Sequence, residues 1–206
     1  MTCLDEATVI ATTSEVKDVS LAGLTCCLLI EACQRIRDYE RAGQWCNKVK
    51  ELARRWQFDA LFSSCRTNYA SVLIWKGDWK AAEQELLLAS KELEHLRPAH
   101  ISMCLVQLAD LRRRQGRWKE ANDLLQQAHI PGTKLLASAA FAFDQGEFES
   151  AGEMAQRYIR QIPNKEKIRK LGAIELLIRI YSKQQKIEDA FHGHQIPVAV
   201  SPSQAG

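Results

Sequence analysis

Apolar positions recur at three- and four-residue spacing along most of the chain, in blocks that glycine or proline interrupts. Ala42, Cys46, Val49 and Leu52 make one stripe, and Ala82, Leu86, Ala89 and Leu93 make another. This is the period of a helix with one buried face. The pattern predicts helices over 20–37, 39–56, 58–76, 79–96, 99–114, 118–128, 135–143, 148–162 and 165–183, with a further start at 187. Gly77 and Gly116 mark helix ends, and Pro98, Pro131-Gly132 and Pro163 break the chain. Leu4 to Ala11 can form one more helix, and Thr133 is placed to cap the helix that follows it. The expected inward residues include Leu61, Cys65, Val72 and Leu73, then Cys104, Leu105, Leu108, Ala109 and Leu111. Near the end they are Leu171, Ile174, Leu177, Ile178 and Ile180.

The helices come in pairs, because the turn between partners is repeated. Gly77-Asp78-Trp79-Lys80-Ala81-Ala82 returns as Gly116-Arg117-Trp118-Lys119-Glu120-Ala121 and as Gly146-Glu147-Phe148-Glu149-Ser150-Ala151. Weaker copies are Asp38-Tyr39-Glu40-Arg41-Ala42 and Lys186-Ile187-Glu188-Asp189-Ala190. The alanines Ala42, Ala82, Ala121, Ala151 and Ala190 stand 40, 39, 30 and 39 residues apart, within the range of helical repeats. A helix pair cannot bury its apolar face alone, so pairs stack into one continuous core. The alanine lets two backbones approach closely at the crossing, and the aromatic three residues before it fills the wedge between repeats. The expected fold is all-α, a right-handed solenoid of about five antiparallel pairs over 20–191. Residues 1–19 are a lead-in, and 192–206, with Pro197 and Pro202, form a disordered tail. The return helix at 187 has nothing after it, so Leu177 and Ile180 are expected to need cover from a part of the protein that is absent.

Composition narrows the function. Of 206 residues, 46% are hydrophobic and 26% charged, and the net charge of +3 is too small to call for nucleic acid. No apolar run is long enough to span a membrane. Asp5, Glu6, Glu15 and Asp18 stand where a signal peptide would be basic and then apolar. A cytoplasmic protein with reduced, buried thiols is expected, although there are seven cysteines. Cys65 and Cys104 each precede a crossing alanine by 17 residues, which assigns both to packing.

The repeat has a family likeness. Ala70, Ala109 and Ala139 lie 12 residues before crossing alanines, and Pro163 lies 12 after Ala151. Small residue, turn aromatic, crossing alanine and closing proline together resemble the tetratricopeptide (TPR) repeat over about 20–190, with intervals longer than the usual length of about 34. The stretches Ala32 to Cys46 and Cys65 to Leu73 look like the helical-repeat segment of large bacterial LuxR-type (MalT-like) transcriptional regulators. The resemblance implies a protein-interaction module of transcription regulation, an isolated or truncated relative of such a regulator. It alternatively implies a sensor that binds a small-molecule effector in its groove. No Gly-x-x-x-x-Gly-Lys-Ser/Thr and no recognition helix is present, so ATP hydrolysis and direct nucleic-acid contact are not carried over.

No catalytic constellation is readable, so an enzyme is not expected. His192 and His194 lack any accompanying ligand motif, and Glu31 and Glu175 have no spacing that pairs them. No metal or cofactor is expected. The run Arg112-Arg113-Arg114, with Arg117 and Lys119, reads as a solvated helix end favoured by the macrodipole in preference to a phosphate contact. In a TPR-like fold the first helix of each pair lines the concave face. That places Glu31, Gln34, Arg35, Thr67, Ser71, Trp75, Val106, Asp110, Arg113 and Arg114 there. The candidate partner-binding set is Arg35, Thr67, Ser71, Trp75, Asp110, Arg113 and Arg114. Trp75, Arg113 and Arg114 are its anchors.

Overall fold

The computed structural model describes residues 2–13, 18–56, 59–94 and 98–184. Among these the chain is entirely helical: α1 (Thr2–Thr12), α2 (Val19–Arg35), α3 (Tyr39–Trp56), α4 (Asp59–Lys76), α5 (Trp79–Glu94), α6 (Pro98–Arg114), α7 (Trp118–Gln127), α8 (Pro131–Asp144), α9 (Phe148–Gln161) and α10 (Lys167–Lys183). Each helix packs on the next in sequence, and α2, α4, α6, α8 and α10 also touch in succession. The even-numbered helices therefore form a continuous row. The copy of the turn at 186–190, both candidate metal histidines and the tail lie outside the described residues.

One chain reversal recurs because one hydrogen-bond pattern recurs. The amides of Asp38, Asp78, Arg117 and Glu147 donate to the carbonyls of Cys33, Leu73, Arg112 and Ala142 at 2.9–3.0 Å, which is the Schellman closure of a helix. It requires a left-handed residue just before that amide. Gly77, Gly116 and Gly146 supply it at φ 73–83°, and Arg37 does so at φ 61°. Asp38 and Asp78 then cap the next helix, each accepting from an amide three residues on at 3.2 Å. A Cβ on Gly77 would meet nothing within 4 Å, so Gly77→Ala carries only the backbone cost. We expect it to lower stability by about 1 kcal/mol in urea denaturation. An unchanged midpoint would show that the left-handed turn is not what closes α4.

The crossing alanines Ala42, Ala82, Ala121 and Ala151 are fully buried, as are Ala70 and Ala139, with Ala109 nearly so. Leu73, Ile74, Leu86 and Leu111 surround Ala82 in the central cluster. Among the turn aromatics, Tyr39 and Phe148 pack against core clusters as expected, whereas Trp79 and Trp118 are more exposed. Trp118 meets Phe141 of α8 edge-on at 6.2 Å, whereas the Trp79 indole turns back and donates to the Ile74 carbonyl at 3.3 Å. Leu105 is half-buried while its neighbour Val106 joins the core. Helix α8 begins at Pro131 with Ile130 as its N-cap, so Thr133 lies inside the first turn rather than before it.

Two expectations are corrected outright. In α10 the buried face is Ala173, Leu176, Leu177 and Ile180, packed with Ala139, Phe143 and Ala155. Leu177 and Ile180 are covered by α8 and α9 and need nothing further, whereas Leu171 and Ile178 are exposed on another side of the helix. The second correction concerns the thiols. Cys27 and Cys65 form a disulfide with their Cα atoms 5.4 Å apart. Helices α2 and α4 are direct neighbours, so residues 38 apart in sequence come within bonding reach. Cys65 and Cys104 are both fully buried core residues, as expected, but Cys65 is bonded, whereas Cys104 is a free thiol donating to the Leu86 carbonyl at 3.3 Å.

Candidate functional site

The row of even-numbered helices lines a groove of about 480 Å³. Its floor is organised around Trp75, in the last turn of α4 and 47% exposed. The guanidinium of Arg114 lies 4.8 Å from the indole centroid and that of Arg37 lies 5.4 Å from it. Each cation over such a ring contributes about 0.5–1 kcal/mol at an exposed site. The repeated turn explains the alignment. Arg35, Trp75 and Arg114 each stand two residues before the left-handed residue of their own turn, so neighbouring helix ends present them in a row.

Asp110 fixes the next part of the wall. One of its carboxylate oxygens accepts from Arg113 at 2.7 and 3.1 Å, and the other accepts from Arg114 Nε at 2.8 Å. Burial alone would raise the Asp110 carboxyl, but Arg113 and Arg114 outweigh it and hold it below its usual range. Arg113 also binds Asp144 of α8, so α6 and α8 are clipped together beside Trp75.

Arg112 points into a different environment, away from the groove, and is 5% exposed. It pairs with Glu83 at 2.7 Å and Glu120 at 3.3 Å, and donates to Gln115 Oε1 at 2.8 Å. The hydrogen bond from Arg112, with smaller help from Gln115 and Arg117 against the opposing effect of burial, holds Glu83 down to about 2. Arg117 completes the network with Glu120 at 2.7 Å. Arg112 and Arg113 are thus not part of a solvated helix end, because carboxylates on neighbouring helices hold both guanidinium groups, whereas Arg117 and Lys119 are exposed as expected.

Of the seven candidate residues, Arg35, Trp75, Asp110, Arg113 and Arg114 line the groove together. Thr67 and Ser71 do not line it; both are buried in the helix packing. The Thr67 hydroxyl donates to the Ser63 carbonyl at 3.2 Å, and that of Ser71 to the Asn68 carbonyl at 2.7 Å. Asn68, one position along the helix, takes the groove side instead. Glu31, Gln34 and Val106 also line the groove, although Glu31 is held by Arg35 at 2.5 Å.

The sequence reading missed the far wall, which α10 supplies through Leu171, Glu175 and Arg179. Glu175 reaches Arg37 at 3.5 Å across 138 residues of sequence. Arg37 could have been noticed because, among the four turns in the described residues, it alone occupies the position that glycine fills in the others. No sequence signal announced that α10 returns to face α2.

Burial pushes the Cys26 and Cys104 thiols up to about 11, although the Cys26 backbone and Thr67, respectively, partly oppose it. These thiols stay protonated at neutral pH and are poor nucleophiles. Among the described residues no group of three His, Cys, Asp or Glu could hold a metal ion, and no helix is long and apolar enough to cross a membrane. No protein-family model matches the chain, and no curated protein matches it significantly.

Proposed function

We propose that the chain is a non-catalytic, TPR-like right-handed α-solenoid that holds a peptide or a partner domain in the groove of its first helices. The observation that carries this is Trp75, half exposed on the groove floor between Arg37 and Arg114. Tryptophan and arginine are the residue types that concentrate binding energy at protein interfaces. The Asp110, Arg113 and Asp144 clip supports the reading further, because it fixes one wall before any partner arrives. By the motif resemblance, the chain is a regulatory module related to bacterial LuxR-type, MalT-like regulators; its acidic N-terminal residues, which do not fit a signal peptide, support a place in the cytoplasm. A small-molecule effector is the second reading, and the volume of the groove, within the range of ligand pockets, favours it.

Selection of displayed random peptides on the immobilised chain tests the first reading. Peptides that bind the unaltered chain are expected to lose about tenfold or more in affinity on Trp75→Ala. The same substitution is expected to lower folding stability by about 1–2 kcal/mol, through loss of the two guanidinium contacts to the ring, and to leave the chain folded. Selected peptides that bind Trp75→Ala equally well would remove the groove from the account. A metabolite that raises the melting temperature of the unaltered chain but not of Trp75→Ala would favour the effector reading.

A further inference from the structure

The chain after α2 and the length of α10 face each other across a cleft of about 650 Å³ that adjoins the groove. Four of its apolar side chains, Ile36, Ile168, Leu171 and Ile178, are each at least 49% exposed. Residues 168, 171 and 178 share one side of α10, so three of these form a ridge. Such a concentration of bare aliphatic surface marks an interaction site.

The charges around the ridge decide what fits it. Among the described residues, Arg35, Arg37 and Arg179 line the cleft against a single acid, Glu175. Arg35 is held by Glu31. The Arg37 contact with Glu175 is long, at 3.5 Å, and the two side chains are 64% and 53% exposed, so water already weakens it. The Arg179 guanidinium lies 4.7 Å over the Phe143 ring and makes no ion pair among the described residues. An aliphatic ridge flanked by cations that have few acids of their own is complementary to a segment with an apolar stripe and acidic flanks.

We propose that this cleft binds an acidic amphipathic peptide segment, with its apolar side chains on Ile36, Leu171 and Ile178 and its carboxylates on Arg37 and Arg179. This rests on the partner-holding reading and adds to it the chemistry of the partner and the end of the groove that selects it. The cleft has two walls, α10 and the chain after α2, which suits a narrow segment better than the flat face of a bilayer. Among the described residues Glu175 is the only acid lining the cleft, so a carboxylate arriving at Arg37 competes with one long ion pair and with the contact of that guanidinium to the Trp75 ring.

The test uses the full chain and fluorescein-labelled synthetic peptides read by anisotropy. One peptide carries leucine along one helical face and glutamate elsewhere. A second has lysine for each glutamate, and a third has serine for each leucine. The first is expected to bind saturably and more weakly as salt rises, and the other two about tenfold more weakly or worse. Ile178→Asp and Arg179→Glu are each expected to weaken the first peptide about tenfold, Ile178→Asp leaving the melting curve in place and Arg179→Glu lowering stability by no more than about 1 kcal/mol through loss of the Phe143 contact. Equal binding of the glutamate and lysine peptides, or indifference to both substitutions, would overturn the proposal. So would preferential binding to phosphatidylglycerol vesicles over the acidic peptide. Peptide binding lost in Trp75→Ala but kept in Ile178→Asp and Arg179→Glu removes this proposal and leaves the groove reading standing. If selected groove peptides also ignore Trp75→Ala, both fall.

Discussion

Arg112→Ala is expected to destabilise the protein by about 3 kcal/mol, toward the lower end for breaking a buried ion pair because Glu83 and Glu120 keep some water. For a chain of this size that is a fall in melting temperature of about 6–12 °C. Two causes act together: truncation removes the side chain that fills the space between α5, α6 and α7, and it leaves Glu83 without its strongest partner. The pH dependence separates them. Glu83 is held down to about 2 in the folded protein, against an ordinary value of 4.5. Between those values the unfolded chain binds the extra proton, so stability rises with pH through that window. The contribution is fully present above about pH 4.5 and is lost as pH falls toward 2. Arg112→Ala forfeits most of it at every pH. Urea denaturation should therefore show the gap between the two chains narrowing from pH 7 to pH 3. A gap of constant size would mean that lost packing, and not the Glu83 pair, carries the effect.

Ala82→Trp is expected to cost about 3 kcal/mol, the upper end for overpacking. Ala82 has no exposed surface and sits among Leu73, Ile74, Leu86 and Leu111. An indole there must push α4, α5 and α6 apart, and interiors at crystal-like density absorb such volume poorly. Lys80→Trp is the control, since it adds the same group to an exposed position of the same helix turn and should change stability by no more than about 0.5 kcal/mol. Thermal denaturation of both variants checks the pair. Equal melting temperatures would mean that Ala82 is not at a helix crossing.

Helix existence and most helix ends were legible because both are set within a few residues. The stripe from Ala82 to Leu93 predicted a buried face, and every member of it is buried. The repeated glycine predicted a chain reversal, and the left-handed φ at 77, 116 and 146 is the local reason. Arg35, Trp75 and Arg114 could be placed in one row because the repeat interval carries a position from one pair to its equivalent in the next. Thr67 and Ser71 were placed on the wrong side of α4 by a shift of one position. A shift of one residue turns a side chain by about 100° around a helix, enough to exchange Asn68 for Thr67 at the groove.

What the sequence determined by itself was therefore everything periodic: the helical class, the pairing of helices through one turn, the crossing alanines, and Trp75 as a groove residue. What only the tertiary structure decided was whatever depends on residues far apart meeting. Arg112 and Arg113 are neutralised by Glu83 and Asp144 on adjoining helices, which made a solvated run into a buried network. Cys27 and Cys65 bond because α2 and α4 are neighbours. Helix α10 has apolar residues on more than one side, and packing against α8 and α9 chose Leu177 and Ile180 while leaving Leu171 and Ile178 to face Arg37. The physical reason is one of range. A helical period is written in each turn of the chain, whereas the position of the tenth helix relative to the second sums the small angles of every interface between them.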